Sequence, residues 1–593
     1  MITLLNRLRT WFLSPDSRQE LRLRTLYHKI LATRFVFLVQ DWLAKRSFRK
    51  WRIKHIALLP EVAENLETPL VSFILYCPNG CNEKCLNTIQ SIRNLRGSSW
   101  EIILFMAADV LDKGDLPGIC NNQQIRVTIG QFQNAIELAH GEFVVFCEAG
   151  DRFYEPLLLR FYQHLDKNPT IDLFYYDCEY YDEACGQVRP HFKPENISPE
   201  LLLSVNYLSR GMIRKEVLLK ILPNLVDREG FFACEYGVIL ELCEQNAKIF
   251  HLPYLLSEQT SLVTPEDAAK RQVITTHLSR KGLDQVRFEV HHNQSRYIWQ
   301  TGDPSIAIII LTKNHQSYLK NLLGSISKHT QHSKFTITIV DNGSDDQATL
   351  EYYEQITQEQ RITIVPYAKP FNYSEAVNLG VQSSGSDLVL LLNDDMVVQN
   401  SFWLEELSQW AMRPEIGVVG AKLLRANHTV QHAGIIMGLN GFAGHLYLNA
   451  PEHYHGFFGS VDWYRNLLAV TGACQMVRRE VFEAVGGYDE GYQLAFGDID
   501  FCLRVHQLGY RNMVTPFANI FHYEGQSRGY ITPTSDILRG LEDMEHVLVE
   551  GDPYYSPHLT LNRIPKCELS PSSRESRKSQ VESRKSFYLD NKQ

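Results

Sequence analysis

Two acidic clusters carry the residues of this chain best suited to chemistry: Leu391-Leu392-Asn393-Asp394-Asp395 and Phe496-Gly497-Asp498-Ile499-Asp500. The first closes the apolar run Leu388-Val389-Leu390-Leu391-Leu392, so its carboxylates stand where a buried strand runs out. In an open parallel sheet, ligands bind outside the carboxyl ends of the strands. A carboxylate pair there can hold a divalent cation, and such a cation commonly serves a phosphate-bearing substrate. The second cluster adds two carboxylates at the edge of a helical segment, where a side chain can take a proton from a reacting hydroxyl. Together they point to chemistry on a metal–diphosphate compound.

The elements that must position these groups recur along the chain. Near residue 70 come a strand (Pro69 to Tyr76), a helix from Cys85 to Leu95, a strand from Trp100, and then Ala139-His-Gly-Glu-Phe-Val-Val-Phe-Cys-Glu148, a strand ending in acid. The order returns with a strand at Ser305–Leu311, a helix at Tyr318–Ser327, a strand at Phe335–Val340 and the strand before Asn393. Strands alternating with helices predict βαβ units and a mostly parallel sheet. The expected organisation is a basic helical segment over 1–65 and α/β domains at 66–262 and 303–530. A helical linker spans 263–302, a helix and loop 531–569, and a Ser/Lys/Arg-rich tail 570–593 is expected to be disordered.

With 593 residues, 44% hydrophobic and 21% charged, the chain is globular and long enough for two to four domains. Its net charge of −9 argues against nucleic acid as a partner. The first 55 residues nevertheless hold thirteen Lys/Arg against three Asp/Glu, which favours an anionic partner surface. No run approaches the roughly 20 apolar residues of a membrane span, and the start lacks the order of a secretory signal. The expected location is therefore the cytoplasm, with peripheral contact on the inner face of the membrane. The segment Trp42–Trp51 reads either as an interfacial helix or as a solvated helix packed on the next domain, and both readings stay open. Cys77, Cys81 and Cys85 do not match the common iron–sulfur spacings and read as buried thiols.

Several short motifs, in order, carry a family resemblance: Ile310-Leu-Thr-Lys-Asn314, Val340-Asp-Asn-Gly-Ser344, Pro370-Phe-Asn-Tyr-Ser374, Leu392-Asn-Asp-Asp395, Val430-Gln-His-Ala-Gly434, Val470-Thr-Gly-Ala-Cys474, Asp498-Ile-Asp-Phe-Cys-Leu-Arg504 and Ser527-Arg-Gly529. The second domain resembles the family 2 glycosyltransferases of GT-A fold, and among them the rhamnosyltransferase-like members that build O-antigen and other surface polysaccharides. The resemblance implies inverting transfer from a nucleotide diphosphate sugar to a lipid-linked or polysaccharide acceptor, with Mg²⁺ or Mn²⁺ as cofactor. By the same resemblance Thr312 and Asp341 line the nucleoside pocket, Asp394 and Arg528 serve the donor, and Asn393, Asp395 and His522 form the metal site. Asp498 is the base, and Asp500, Thr471 and Gly472 orient the base or the acceptor. The family's usual first motif acid is Asn393 here. Asp341-Asn-Gly-Ser also reads as a tight turn, and His432 and His445 read as structural.

The first domain reads as a degenerate copy. Its second strand ends in Met106 where an acid is expected, Gly150 stands at the metal-binding position, Glu235 stands for the base, and the late His is replaced near Ser257-Glu258. One active domain is the expectation; two active domains, or an inert scaffold, are the alternatives.

Overall fold

The computed structural model describes residues 34–58, 70–97, 99–106, 123–182, 186–224, 231–265, 268–332, 334–523, 532–561 and 573–590. Two α/β units follow one another, each built on a curled sheet with the same strand order. The first runs Ile125–Ile129, Trp100–Met106, Val71–Tyr76, Phe143–Glu148, Met212–Arg214, Leu173–Asp182, Ile249–Gln259, Arg152–Phe153. The second runs Ile362–Pro366, Phe335–Asp341, Ile306–Thr312, Leu388–Leu392, Cys474–Arg478, Ile416–Leu424, Arg511–His522, Met396–Val398. The senses of pairing also match, element for element. The repeat that the sequence shows faintly is thus a repeat of whole topology.

Each sheet is parallel only in its first four strands and mixed beyond them. Parallel neighbours need a crossover connection, and in the second unit the helices Gln316–His329, Gln347–Ile356 and Tyr373–Gln382 supply it. Cys474–Arg478 arrives instead from the loop-rich insertion 425–473 and enters antiparallel to both neighbours. Leu388–Leu392 is buried along its whole length, which explains why its sequence is continuously apolar rather than alternating.

Two expectations change in detail. Among its described residues, the linker is helical over Ala268–Arg280. A hairpin follows, Arg287–His291 with Gln294–Ile298, whose turn residues His292 and Asn293 both take left-handed backbone, as a two-residue hairpin turn requires. The tail read as disordered instead contains the helix Arg574–Asp590. Val581 is buried, Arg577 Nε donates to Val549 O at 2.7 Å and Lys585 pairs with Glu545 at 2.8 Å. Local composition does not show these tertiary partners. The N-terminal segment forms the helix Arg34–Ile56, and its inward face packs on both units: Phe37 on Tyr454, Phe48 on Phe192 and Phe457, Trp51 on His558.

The units share one apolar core rather than meeting at a wet seam. Segment 192–204 supplies much of the junction: Phe192 N donates to Phe457 O at 2.9 Å, Ser198 Oγ to Asn466 Oδ1 at 2.9 Å, and Arg511 pairs with Glu200 at 2.8 Å. From the hairpin, Trp299 packs edge-on against Trp410 and Arg296 Nε donates to the buried Glu406 at 2.6 Å. Among the described residues, no helix is long and apolar enough to cross a membrane.

Candidate active site

The site of the second unit is assembled at the carboxyl ends of its parallel strands. Thr312 and Asp341 end neighbouring strands and lie opposite each other in register. Thr312 Oγ1 donates to Asp394 Oδ2 at 2.6 Å, and His315 Nδ1 lies 2.9 Å from the same oxygen. That hydrogen bond, with the charges of Asp394 and Asp395, raises the His315 pKa, so the pair favours the imidazolium form. Asp341 accepts from Ser344 N, from Ser344 Oγ at 2.5 Å and from Tyr353 OH at 2.9 Å. Its carboxylate therefore builds the turn through Gly343, at φ +68, while standing beside Thr312. Asn314, itself left-handed, accepts from the Asp345 and Asp346 amides and locks the first strand-end loop to this turn.

Asp395 and His522 meet because Met396–Val398 pairs antiparallel with the end of Arg511–His522. His522 Nε2 lies 3.2 Å from Asp395 Oδ1 and 3.5 Å from Asn393 Nδ2. Asp395 Oδ1 is buried and accepts no hydrogen bond among the described residues. A carboxylate oxygen and an imidazole nitrogen at that spacing either share a proton or flank a cation, and the donor set suits Mn²⁺. Among the described residues no cluster of three or more His, Cys, Asp or Glu is spaced to hold a metal. Asp395 and His522, with the Asn393 amide, could hold a cation only if other positions went to phosphate oxygens and water, as is normal for a divalent cation that serves a phosphate substrate.

The turn Thr471-Gly472-Ala473 joins this corner to the candidate base. Asn393 N donates to Ala473 O at 3.0 Å, and Gly472 N donates to Asp498 Oδ2 at 2.8 Å. The second oxygen of Asp498 accepts from Ile499 N at 2.9 Å in the first turn of the helix Gly497–Gln507. A Cβ on Gly472 would stand 3.1 Å from Tyr373 OH and 3.2 Å from Asp498 Cβ, so glycine lets the turn approach this closely. Thr471 N donates to His432 Nε2 at 3.4 Å, and His432 Nδ1 lies 2.8 Å from His445 Nδ1. Burial pushes the His432 pKa well down and keeps the ring neutral, as an acceptor must be.

Thr312, Asp394, Asn393, Asp395, His522, Thr471, Gly472 and Asp498 are thus brought together. Asp500 is not: it forms an i,i+4 pair with Arg504 at 2.7 Å, and Arg504 also donates to Val485 O, so Asp500 braces its own helix instead of touching Asp498. Arg528 lies outside the described residues. Reading the sequence missed His315, Tyr353 and the bracing by His432. His315 sits just after the quoted Ile310–Asn314 motif, which was its one available signal. Tyr353 and His432 approach only through tertiary contacts.

The matched topology permits a comparison with the first unit, position by position. Leu388 and Phe143 occupy equivalent register positions, which aligns Asn393 with Glu148 and Asp395 with Gly150. Asp341 aligns with Met106, and the pairing of Arg152 with Glu258 aligns His522 with Gln259, one residue beyond the position read from sequence. The remaining carboxylates face a buried arginine. Arg210, left-handed at φ +61, donates from Nε to Asp151 at 2.9 Å, from its amide to Glu235 Oε1 at 2.8 Å and from Nη1 to Glu235 Oε2 at 3.2 Å. Asp151, Arg210 and Glu235 are all fully buried.

Residues 307–486 match the model of the family described as Glycosyl transferase family 2. Over 559 residues the chain is 32% identical to the uncharacterized protein y4gI of Sinorhizobium fredii, covering 87% of this chain and 61% of that one. Over 437 residues it is 34% identical to the O-antigen biosynthesis protein RfbC of Myxococcus xanthus, covering 71% of this chain and 34% of that one. The chain therefore spans less than two thirds of either relative. It is also 23% identical, over 38% of its length and 78% of the relative's, to the N-acetylglucosaminyl-diphospho-decaprenol L-rhamnosyltransferase of Mycobacterium tuberculosis.

Proposed function

Because the chain carries a family 2 glycosyltransferase domain, we propose that its second unit transfers a sugar, with inversion, from a nucleotide diphosphate donor to a lipid-linked or growing surface glycan. The observation that carries this reading is the turn Thr471-Gly472-Ala473, which joins the Asn393–Asp395 corner to Asp498 through two main-chain hydrogen bonds. A cation corner and a carboxylate base fixed to one turn can address the two ends of one sugar: its leaving diphosphate and its incoming hydroxyl.

In this reading Thr312 and Asp341 border the nucleoside. Asn393, Asp395 and His522 would hold Mn²⁺ or Mg²⁺, which when bound offsets the negative charge on the departing diphosphate. Asp498 takes the acceptor hydroxyl's proton while that oxygen forms its bond to the anomeric carbon and the carbon–oxygen bond to diphosphate breaks. Gly472 N holds the base carboxylate in place, and His432 holds the turn. Rhamnose is the donor sugar we favour, supported by the name of the mycobacterial relative, a rhamnosyltransferase acting on a lipid-linked compound. The first unit serves as a non-catalytic support, a role that fits the buried Arg210, which already pairs with Asp151 and with Glu235 at the base position.

Asp498→Asn is the direct test. Its amide cannot take the proton, so turnover should fall by about 10³-fold, within the range of a lost general base. Nucleoside diphosphate affinity, measured by calorimetry with Mn²⁺ present, should stay within about twofold because the oxygen facing Gly472 N remains. Retained turnover in this variant would remove Asp498 from the mechanism.

A further inference from the structure

The helix Arg34–Ile56 is apolar on two faces. The inward face is consumed by packing: Phe37, Ala44, Phe48 and Trp51 are buried, and Arg52 pairs with Glu179 across the first unit. The outward face is nonetheless rich in large apolar side chains. Phe35, Leu38, Val39, Trp42 and Leu43 are exposed, Trp42 at 57%, and Ile53 follows one turn from the end at 70%. Globular surfaces scatter such residues singly; five within nine positions of one helix form a patch. The same face continues into Arg46, Arg49, Lys50 and Lys54, all exposed. Arg49, Lys50 and Lys54 have no carboxylate partner among the described residues. The chain before the helix adds six Lys/Arg against two Asp/Glu over residues 1–33.

We propose that this outward face docks the protein on an anionic lipid bilayer, with Phe35, Leu38, Val39, Trp42 and Leu43 entering the headgroup boundary and Arg46, Arg49, Lys50 and Lys54 on the lipid phosphates. An exposed helix face whose apolar stretch runs on into a basic stretch combines burial of apolar side chains with attraction to anionic headgroups. Charge complementarity selects this occupant: a second copy of the chain would bring the same cations against themselves, and nucleic acid offers nothing for the apolar row. The inward face makes the docking rigid, because Phe37 packs on Tyr454 and Phe48 on Phe457. Both partners belong to the insertion 425–473 whose far end holds Thr471 and Gly472 beside Asp498, so a docked helix would set the acceptor side of the site at the lipid surface. The inference stands on the helix and not on the transferase reading, and either can fail alone.

Flotation of the full chain with vesicles tests it: phosphatidylcholine alone, against phosphatidylcholine with about 30 mol% phosphatidylglycerol. The full chain should partition to the anionic vesicles at least about tenfold better, and lose that preference in high salt. A triple variant Leu38→Ser, Trp42→Ser, Leu43→Ser and a triple variant Arg49→Gln, Lys50→Gln, Lys54→Gln should each reduce partition by about tenfold, with unfolding temperatures unchanged. No partition, or equal partition of all three proteins, would overturn the proposal. So would self-association of the wild type that the serine variant abolishes, which would assign the face to a second copy.

Discussion

Arg210 is a fully buried cation of the first unit, held between two buried carboxylates. Its guanidinium meets Asp151 and Glu235, and its own backbone is left-handed, an uncommon state for a residue with a Cβ. Burial pushes the Glu235 carboxyl up, and Arg210 opposes the shift. Removing the cation leaves two carboxylates buried without compensation. Arg210→Met is therefore expected to cost about 3–5 kcal/mol in denaturant unfolding. Glu148→Gln, at the position equivalent to Asn393, should leave transfer within about twofold of wild type in a donor-turnover assay. A large loss of turnover from Glu148→Gln, with stability intact, would instead favour a second working site.

At the scale of elements, the loop after the helix Glu545–Glu550 is pinned by a buried acid. Asp552 accepts from Met437 N at 2.8 Å and from Tyr554 N at 2.9 Å. Burial raises its pKa to about 6, with the two amide hydrogen bonds opposing the shift. A carboxyl whose folded pKa is raised favours folding most below its unfolded value near 4, and that contribution is lost as pH climbs through about 6. Thermal unfolding of the wild type should therefore show stability falling between about pH 4 and pH 6 relative to Asp552→Asn, with the difference flat above pH 7. A difference flat across the whole range would remove Asp552 as its source. The acidic strand-end turns follow the same logic of shared support. Asn314 and Asp341 each satisfy neighbouring amides, so the two strand-end turns are tied to one another.

For the whole molecule, the duplicated sheets fold as one body because charged pairs and aromatic contacts cross between them. Burial alone would raise the Glu200 carboxyl, yet Arg511, with help from Arg413 and Asn466, holds it down at about 2. A depressed carboxyl contributes stability that is present above its unfolded pKa near 4.3 and lost as pH falls toward 2. Arg511→Met should strand Glu200, lower stability by about 3 kcal/mol at pH 7, and keep a single unfolding transition in calorimetry. Two separated transitions in the wild type would contradict the shared core.

Much was legible from the residues alone. Continuous apolar runs ending in acid located the parallel strands and the chemical ends of the sheet, because strand burial and strand-end chemistry are written in adjacent positions. The Asn393–Asp395 corner could be named for that reason, while Asp498 was named from its place at the edge of a helical segment and from the family resemblance. Other features depend on partners far along the chain. The pairing of Asp500 with Arg504 was readable as an i,i+4 spacing, yet only the packed helix shows that it excludes contact with Asp498. The ion pairs at Arg210, the brace at His432 and the ordering of the Arg574–Asp590 helix all rest on contacts between segments distant in sequence, where composition and periodicity carry no signal. Sequence by itself determined which residues could act; the tertiary structure decided which of them meet, because a carboxylate's role is set by the donor or cation that burial places beside it.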